Sequence, residues 1–100
     1  MRNLMNRLKA YHITAAGEIK EVSPANGKDF KLSEAQNLVG GYIEVVHLTK
    51  DIIAIVDEEG KIKGREPNRL ATVIANSAHG LWEGDYLAGD VVICPSQMLR

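Results

Sequence analysis

The sequence predicts an α+β fold, a small and mainly antiparallel sheet of about five to six strands with two short helices. Short runs rich in β-branched residues ("YIEVVHL", "IIAIV", "VVIC") recur between turn signals. Several of them are joined by links short enough for hairpins, and two separate segments carry apolar residues at helical spacing behind capping residues. With 100 residues, 45% of them hydrophobic, the chain is expected to build one core. Residues 1–8 read as a flexible lead-in, 9–95 as the single domain and 96–100 as a tail.

From the start of the domain, "KAYHIT" places Tyr11 and Ile13 on one face and His12 and Thr14 on the other. "AAGE" then supplies a glycine before "IKEV", which makes a first hairpin. "SPANGKDF", residues 23–30, concentrates turn formers and predicts an exposed connection. In "KLSEAQNLVGG", Ser33 is the expected N-cap, Gln36 completes a capping-box pattern and Leu32 is placed to staple the first turn. Ala35, Leu38 and Val39 form the apolar stripe of this first helix.

Gly40 and Gly41 raise the question of a phosphate grip. Glycine loops that hold phosphate precede a helix, where free N–H groups and the positive end of the dipole face the anion. Here the pair follows the helix, so a left-handed cap at Gly40 that releases the chain into a strand is the better reading. "YIEVVHL" and "IIAIV" come next, separated by Thr49, Lys50 and Asp51; the second is apolar throughout and is expected at the centre of the sheet. "DEEGKI" turns the chain, with Gly60 suited to a positive φ before a strand over Lys61 to Lys63. Asn68 caps a second helix along which Leu70, Val73, Ile74 and Ser77 recur, ending at Gly80. The glycine-rich "LWEGDYLAGD" is irregular, and "VVIC" is a last buried strand stopped by Pro95.

Charge and composition exclude several classes. Twelve Lys plus Arg against thirteen Asp plus Glu leave a net charge of -1, so no whole-protein field collects a nucleic acid and any such binding needs a local patch. Cys94 is the single cysteine, which rules out an internal disulfide and a cysteine zinc site, and it reads as a buried small hydrophobe. No run approaches a membrane span or a signal peptide, so the expected setting is cytoplasmic with no membrane partner.

No catalytic residue is indicated: there is no nucleophile elbow, and His12, His47 and His79 share no ligand spacing. Asp57, Glu58 and Glu59 offer carboxylates for a hard cation, but neighbours on a strand end point to opposite faces, and a solvated turn is the simpler reading. No metal site and no cofactor is expected. A small-ligand site would gather Glu58 and Glu59 with Asn68 and Arg69 at the start of the second helix, where an anion is favoured. Lys61, Lys63 and Arg65 form a local basic strip without interleaved aromatic rings. Trp82, Asp85 and Tyr86, in the glycine-rich loop, are candidates for anchoring a protein partner or for covering the core.

The order of "GEIKEVSPANGKDFKLSEAQNLVGGYIEVV", "IVDEEGKIKG", "PNRLAT" and "AGDVVI" resembles the family called domain of unknown function 3846, small proteins of phages, plasmids and bacteria. The chain departs from that family at Asp57, where Asn is usual. The resemblance implies a one-domain α+β protein with no activity to carry over. By analogy with small mobile-element proteins it favours a non-catalytic binding or regulatory protein whose partner is a host defence or regulatory protein. The alternatives are a nucleotide- or divalent-metal-binding protein or weak metal-assisted hydrolase, and a nucleic-acid binder using the basic strip.

Overall fold

In the computed structural model, which describes residues 9–81 and 83–99, the apolar runs form strands and their alternation decides which side chains meet. The elements follow in the order β1 (Ala10–Ile13), β2 (Ile19–Val22), α1 (Leu32–Val39), β3 (Ile43–His47), β4 (Ile52–Asp57), α2 (Arg69–Ser77) and β5 (Val91–Pro95). The sheet runs β2-β1-β5-β4-β3, and every neighbouring pair is antiparallel. The two strands with the most continuous apolar sequence, β4 and β5, lie side by side in the interior of the sheet, as strands covered on both faces must.

Each face carries one helix. Ile53 and Ile55 of β4 and Val92 and Cys94 of β5 join Ala35 and Val39 of α1 in one core. Ala54, Val56 and Val91 join Ala71 and Ala75 of α2 in the other. Period-two alternation in two adjacent central strands therefore feeds two cores at once.

Several local expectations are corrected. Helix α1 starts at Leu32, one residue before the expected cap: Lys31 is the N-cap, and the Glu34 carboxylate accepts the backbone N–H groups of Lys31 and Ala25, each at 2.9 Å. The acid at the third helical position satisfies the N–H of the cap residue and one N–H of the preceding loop, Ser33 lies inside the first turn, and Leu32 is exposed rather than stapled. Val73 of α2 is 61% exposed; the buried stripe runs through Ala71 and Ala75, with Leu70 and Ile74 packed beside it. The left-handed residue after α2 is His79 at φ 58°, while Gly80 lies in a close approach, where a Cβ would stand 2.8 Å from Leu48 Cδ2 and 3.1 Å from His47 O.

No strand forms over Lys61 to Lys63. Residues 58–64 instead wind into successive turns, with Gly60 N–H donating to Asp57 O, Lys63 N–H to Glu59 O and Gly64 N–H to Lys61 O. The positive φ falls on Gly64, at 74°, and not on Gly60. The 23–30 connection is exposed in its middle, but Phe30 at its end is 1% exposed and its N–H donates to Met98 O. Residues 96–98 form a 3-10 turn, and Met98 and Leu99 pack against the α1-side core, so the described part of the expected tail, 96–99, is held against the domain. The lead-in, residues 1–8, lies outside the described residues.

Candidate functional site

Asp57 ends β4 at the point where α1 stops, and its side chain is fully buried. Burial alone would push its carboxyl up. Hydrogen bonds from Lys63 Nζ, the Glu59 N–H and Arg65 Nε, each at 2.9 Å, outweigh that and hold it below the usual carboxylate range. The other arm of Arg65 donates from Nη2 to Gly40 O at 2.8 Å, taking one of the carbonyls that the end of α1 leaves free.

The double glycine is built around this cluster. Gly40 is left-handed, at φ 83° and ψ 23°, and its N–H donates to Gln36 O, which ends the helix. At Gly41 a Cβ would come within 2.7 Å of both Asp57 Oδ2 and Lys63 Nζ, so the absence of a side chain admits the ion pair. Gly89 makes the same allowance on the other side, where a Cβ would lie 2.7 Å from Arg65 Cδ.

With the 58–64 turn fixed from behind by Asp57, its outer residues face the loop that leads to β5. Between them lies a cleft of about 330 Å³, with Val46 and Val56 from the sheet, Glu58, Lys61 and Ile62 from the turn, and Asp85 and Tyr86 from the loop among its lining residues. Lys61 Nζ is ion-paired with Asp85 Oδ1 and sits 4.5 Å from the centre of the Tyr86 ring. Hydrogen bonds from Lys61 and from the Tyr86 N–H hold the Asp85 carboxyl below its ordinary range, against a smaller opposing effect of burial. Ile62, at the rim, is 84% exposed, the most exposed large hydrophobic side chain among the described residues.

The residues expected to form sites are distributed as follows. Glu58 lines the cleft, Glu59 a separate groove with Gly41, Tyr42 and Lys63, and Arg69 an open hollow with Ala15, Ala16, Glu66 and Pro67. Asn68 is completely buried: its Oδ1 accepts the Ala71 N–H, capping α2, and its Nδ2 donates to Ile13 O and Gly89 O at 2.9 Å each. The four share no hollow. Of the basic strip, Lys61 pairs with Asp85, and Lys63 and Arg65 both pair with Asp57. Asp85 and Tyr86 stand together on the cleft, and Trp82 lies outside the described residues.

Sequence reading missed Ile62 and Glu44, both of which line the cleft. An aliphatic residue between two lysines was a signal for Ile62, hidden because a strand was expected there. Away from the cleft, His12 Nε2 and Asp90 Oδ2 stand 3.0 Å apart and join β1 to the start of β5. Burial pushes the Cys94 thiol up to about 11. Among the described residues no group of three His, Cys, Asp or Glu side chains is placed to hold a metal ion, and no helix is long and apolar enough to cross a membrane.

The fold defines a one-sheet α+β domain with a helix on each face and a cleft beside one sheet edge. The chain belongs to the family described as domain of unknown function (DUF3846), whose model matches residues 5–97. No curated protein and no solved structure matches it.

Proposed function

We propose that this chain is a small, non-catalytic binding protein of mobile-element type that acts in the cytoplasm, and that the cleft between the 58–64 turn and the 83–88 loop receives a host defence or regulatory protein. The observation that carries the reading is the meeting at one rim of Ile62, Tyr86 and the Lys61–Asp85 pair. An exposed aliphatic side chain, a half-exposed ring and a partly covered ion pair are the ingredients of a contact hot spot.

The alternatives draw less from the same geometry. Glu58, Glu59, Asn68 and Arg69 would have to act from separate surfaces, and Asn68 has already committed both ends of its amide. A nucleic acid would meet Lys61, Lys63 and Arg65 already ion-paired with Asp85 and Asp57, three cations against two carboxylates, so the strip offers only one net positive charge.

The test is affinity capture from a host lysate with three baits: wild type, the Ile62→Asp/Tyr86→Ala double variant, and a Val73→Asp control on exposed α2. A protein retained by wild type and control but lost by the double variant is the expected result. An identical retained set with all three baits overturns the reading.

A further inference from the structure

Strand β3 is an outer strand of the sheet, and its register fixes which of its backbone groups are free. Tyr42 O accepts the Glu58 N–H and the Leu48 N–H donates to Ile52 O, so the even-numbered residues between them face β4. The N–H and C=O groups of Ile43 and Val45 therefore point outward, and the described residues supply no hydrogen bond to them. Further along, Gly80 passes close to His47 O, which limits the open edge to the stretch before it. This stretch has neither lysine nor proline, the residues that commonly protect a free edge.

The charge beside this edge is one-sided. Glu44 of β3 and Glu58 beyond β4 lie on the cleft side of the sheet, both are exposed, and neither has an ion pair among the described residues. Lys61, the cation in the cleft, is occupied by Asp85. The cleft mouth thus holds two uncompensated carboxylates over the apolar side chains of Val46 and Val56.

Resting on the cleft reading above, we infer that the partner presents an extended segment with an arginine or lysine, which adds to β3 as a sixth strand and lays that side chain into the cleft. Pairing an added antiparallel strand with Ile43 and Val45 puts its intervening residue directly opposite Glu44, in the closer, non-hydrogen-bonded kind of pair. Residues paired across a sheet share a face, so this side chain points to the cleft, with its aliphatic stem over Val46 and its charge near Glu44 and Glu58. Its two neighbours point to the other face, beside the half-buried side chains of Ile43 and Val45, and are best β-branched.

The probe is the blocked pentapeptide Thr-Val-Arg-Val-Thr, titrated into isotope-labelled protein and followed by amide chemical shifts, with Thr-Val-Glu-Val-Thr as its charge-reversed counterpart. A single short strand is expected to bind in about the millimolar range. The arginine peptide should shift the amides of Ile43 and Val45 and bind about three- to tenfold more tightly than the glutamate peptide, a preference that Glu44→Lys/Glu58→Lys should reverse. Val45→Pro removes a donor that faces outward and none of the bonds to β4, but also changes a half-buried side chain, so a melt checks that it folds; it is expected to lose the arginine peptide.

Equal affinities, shifts centred on β2 instead, or no saturable shift at about 10 mM overturn the inference. So does a concentration-dependent dimer in sedimentation that Val45→Pro abolishes, since the edge would then take a second copy of the chain. If lysate capture is lost with Ile62→Asp/Tyr86→Ala but survives both Val45→Pro and Glu44→Lys/Glu58→Lys, the cleft reading stands and the strand-addition inference falls.

Discussion

A methyl group at Gly41 would stand 2.7 Å from a buried carboxylate oxygen and from the amine that neutralises it, which locates a crowded, buried electrostatic junction at one residue, Asp57. Its two cations remain about a third exposed, at 38% and 35% of their side chains, so the junction is worth less than a fully dry pair. Asp57→Asn keeps an acceptor for the Glu59 N–H but turns an amide towards two cations, and should cost about 2 to 3 kcal/mol at neutral pH. The sign with pH follows from the lowered carboxyl. The contribution is complete above the unfolded value of about 3.9 and is lost as pH falls through the lower folded value. Urea unfolding of wild type and Asp57→Asn from neutral pH into acid should show the two curves converging, with the variant's acid limb flatter. A constant gap across that range would show that Asp57 is not held as an anion by its neighbours.

At the scale of elements, α2 depends on one buried amide that also fastens two other segments. Asn68 caps the helix through Ala71 and ties it to the end of β1 at Ile13 and to the loop at Gly89. Asn68→Ala removes the cap, worth about 1 kcal/mol, and strips two carbonyls of a buried donor, so a loss of about 3 kcal/mol in chemical denaturation is expected. Asn68→Asp preserves the cap acceptor but aims an oxygen at both carbonyls, and it should recover little of that loss. The capping role was legible from a lone Asn before an apolar periodic run, because caps are local signals. The two cross-ties were not, since they join residues 55 and 21 positions apart. The same distinction explains the 58–64 turn. Local pattern allowed a hairpin through Gly60, whereas Asp57 gathers Glu59, Lys63 and Arg65 and winds the segment on itself. The cleft was therefore only half visible: Asp85 and Tyr86 stood out by composition, but Lys61 and Ile62 join them only once the strand is replaced by turns.

Across the whole molecule, the sheet centre is made by the last strand inserting between β1 and β4, so two separately formed hairpins are joined by β5. Period-two runs made the existence and burial of β4 and β5 readable, while the insertion of β5 depends on long-range pairing that no local pattern encodes. Cys94 lies in that inserted strand, 1% exposed and packed on the α1 side, and burial raises its thiol to about 11. A thiol so placed is doubly protected, because little thiolate forms at neutral pH and no reagent reaches it while β5 is paired. Alkylation by iodoacetamide at about pH 8 should thus be slower than for an unfolded control by several orders of magnitude, and should follow the opening equilibrium that urea sets. Since β5 holds both hairpins, its release is the loss of the whole sheet, and the free energy from alkylation should match that from global unfolding. A markedly smaller alkylation free energy would mean that β5 leaves on its own, and that the two hairpins retain structure without the strand that joins them.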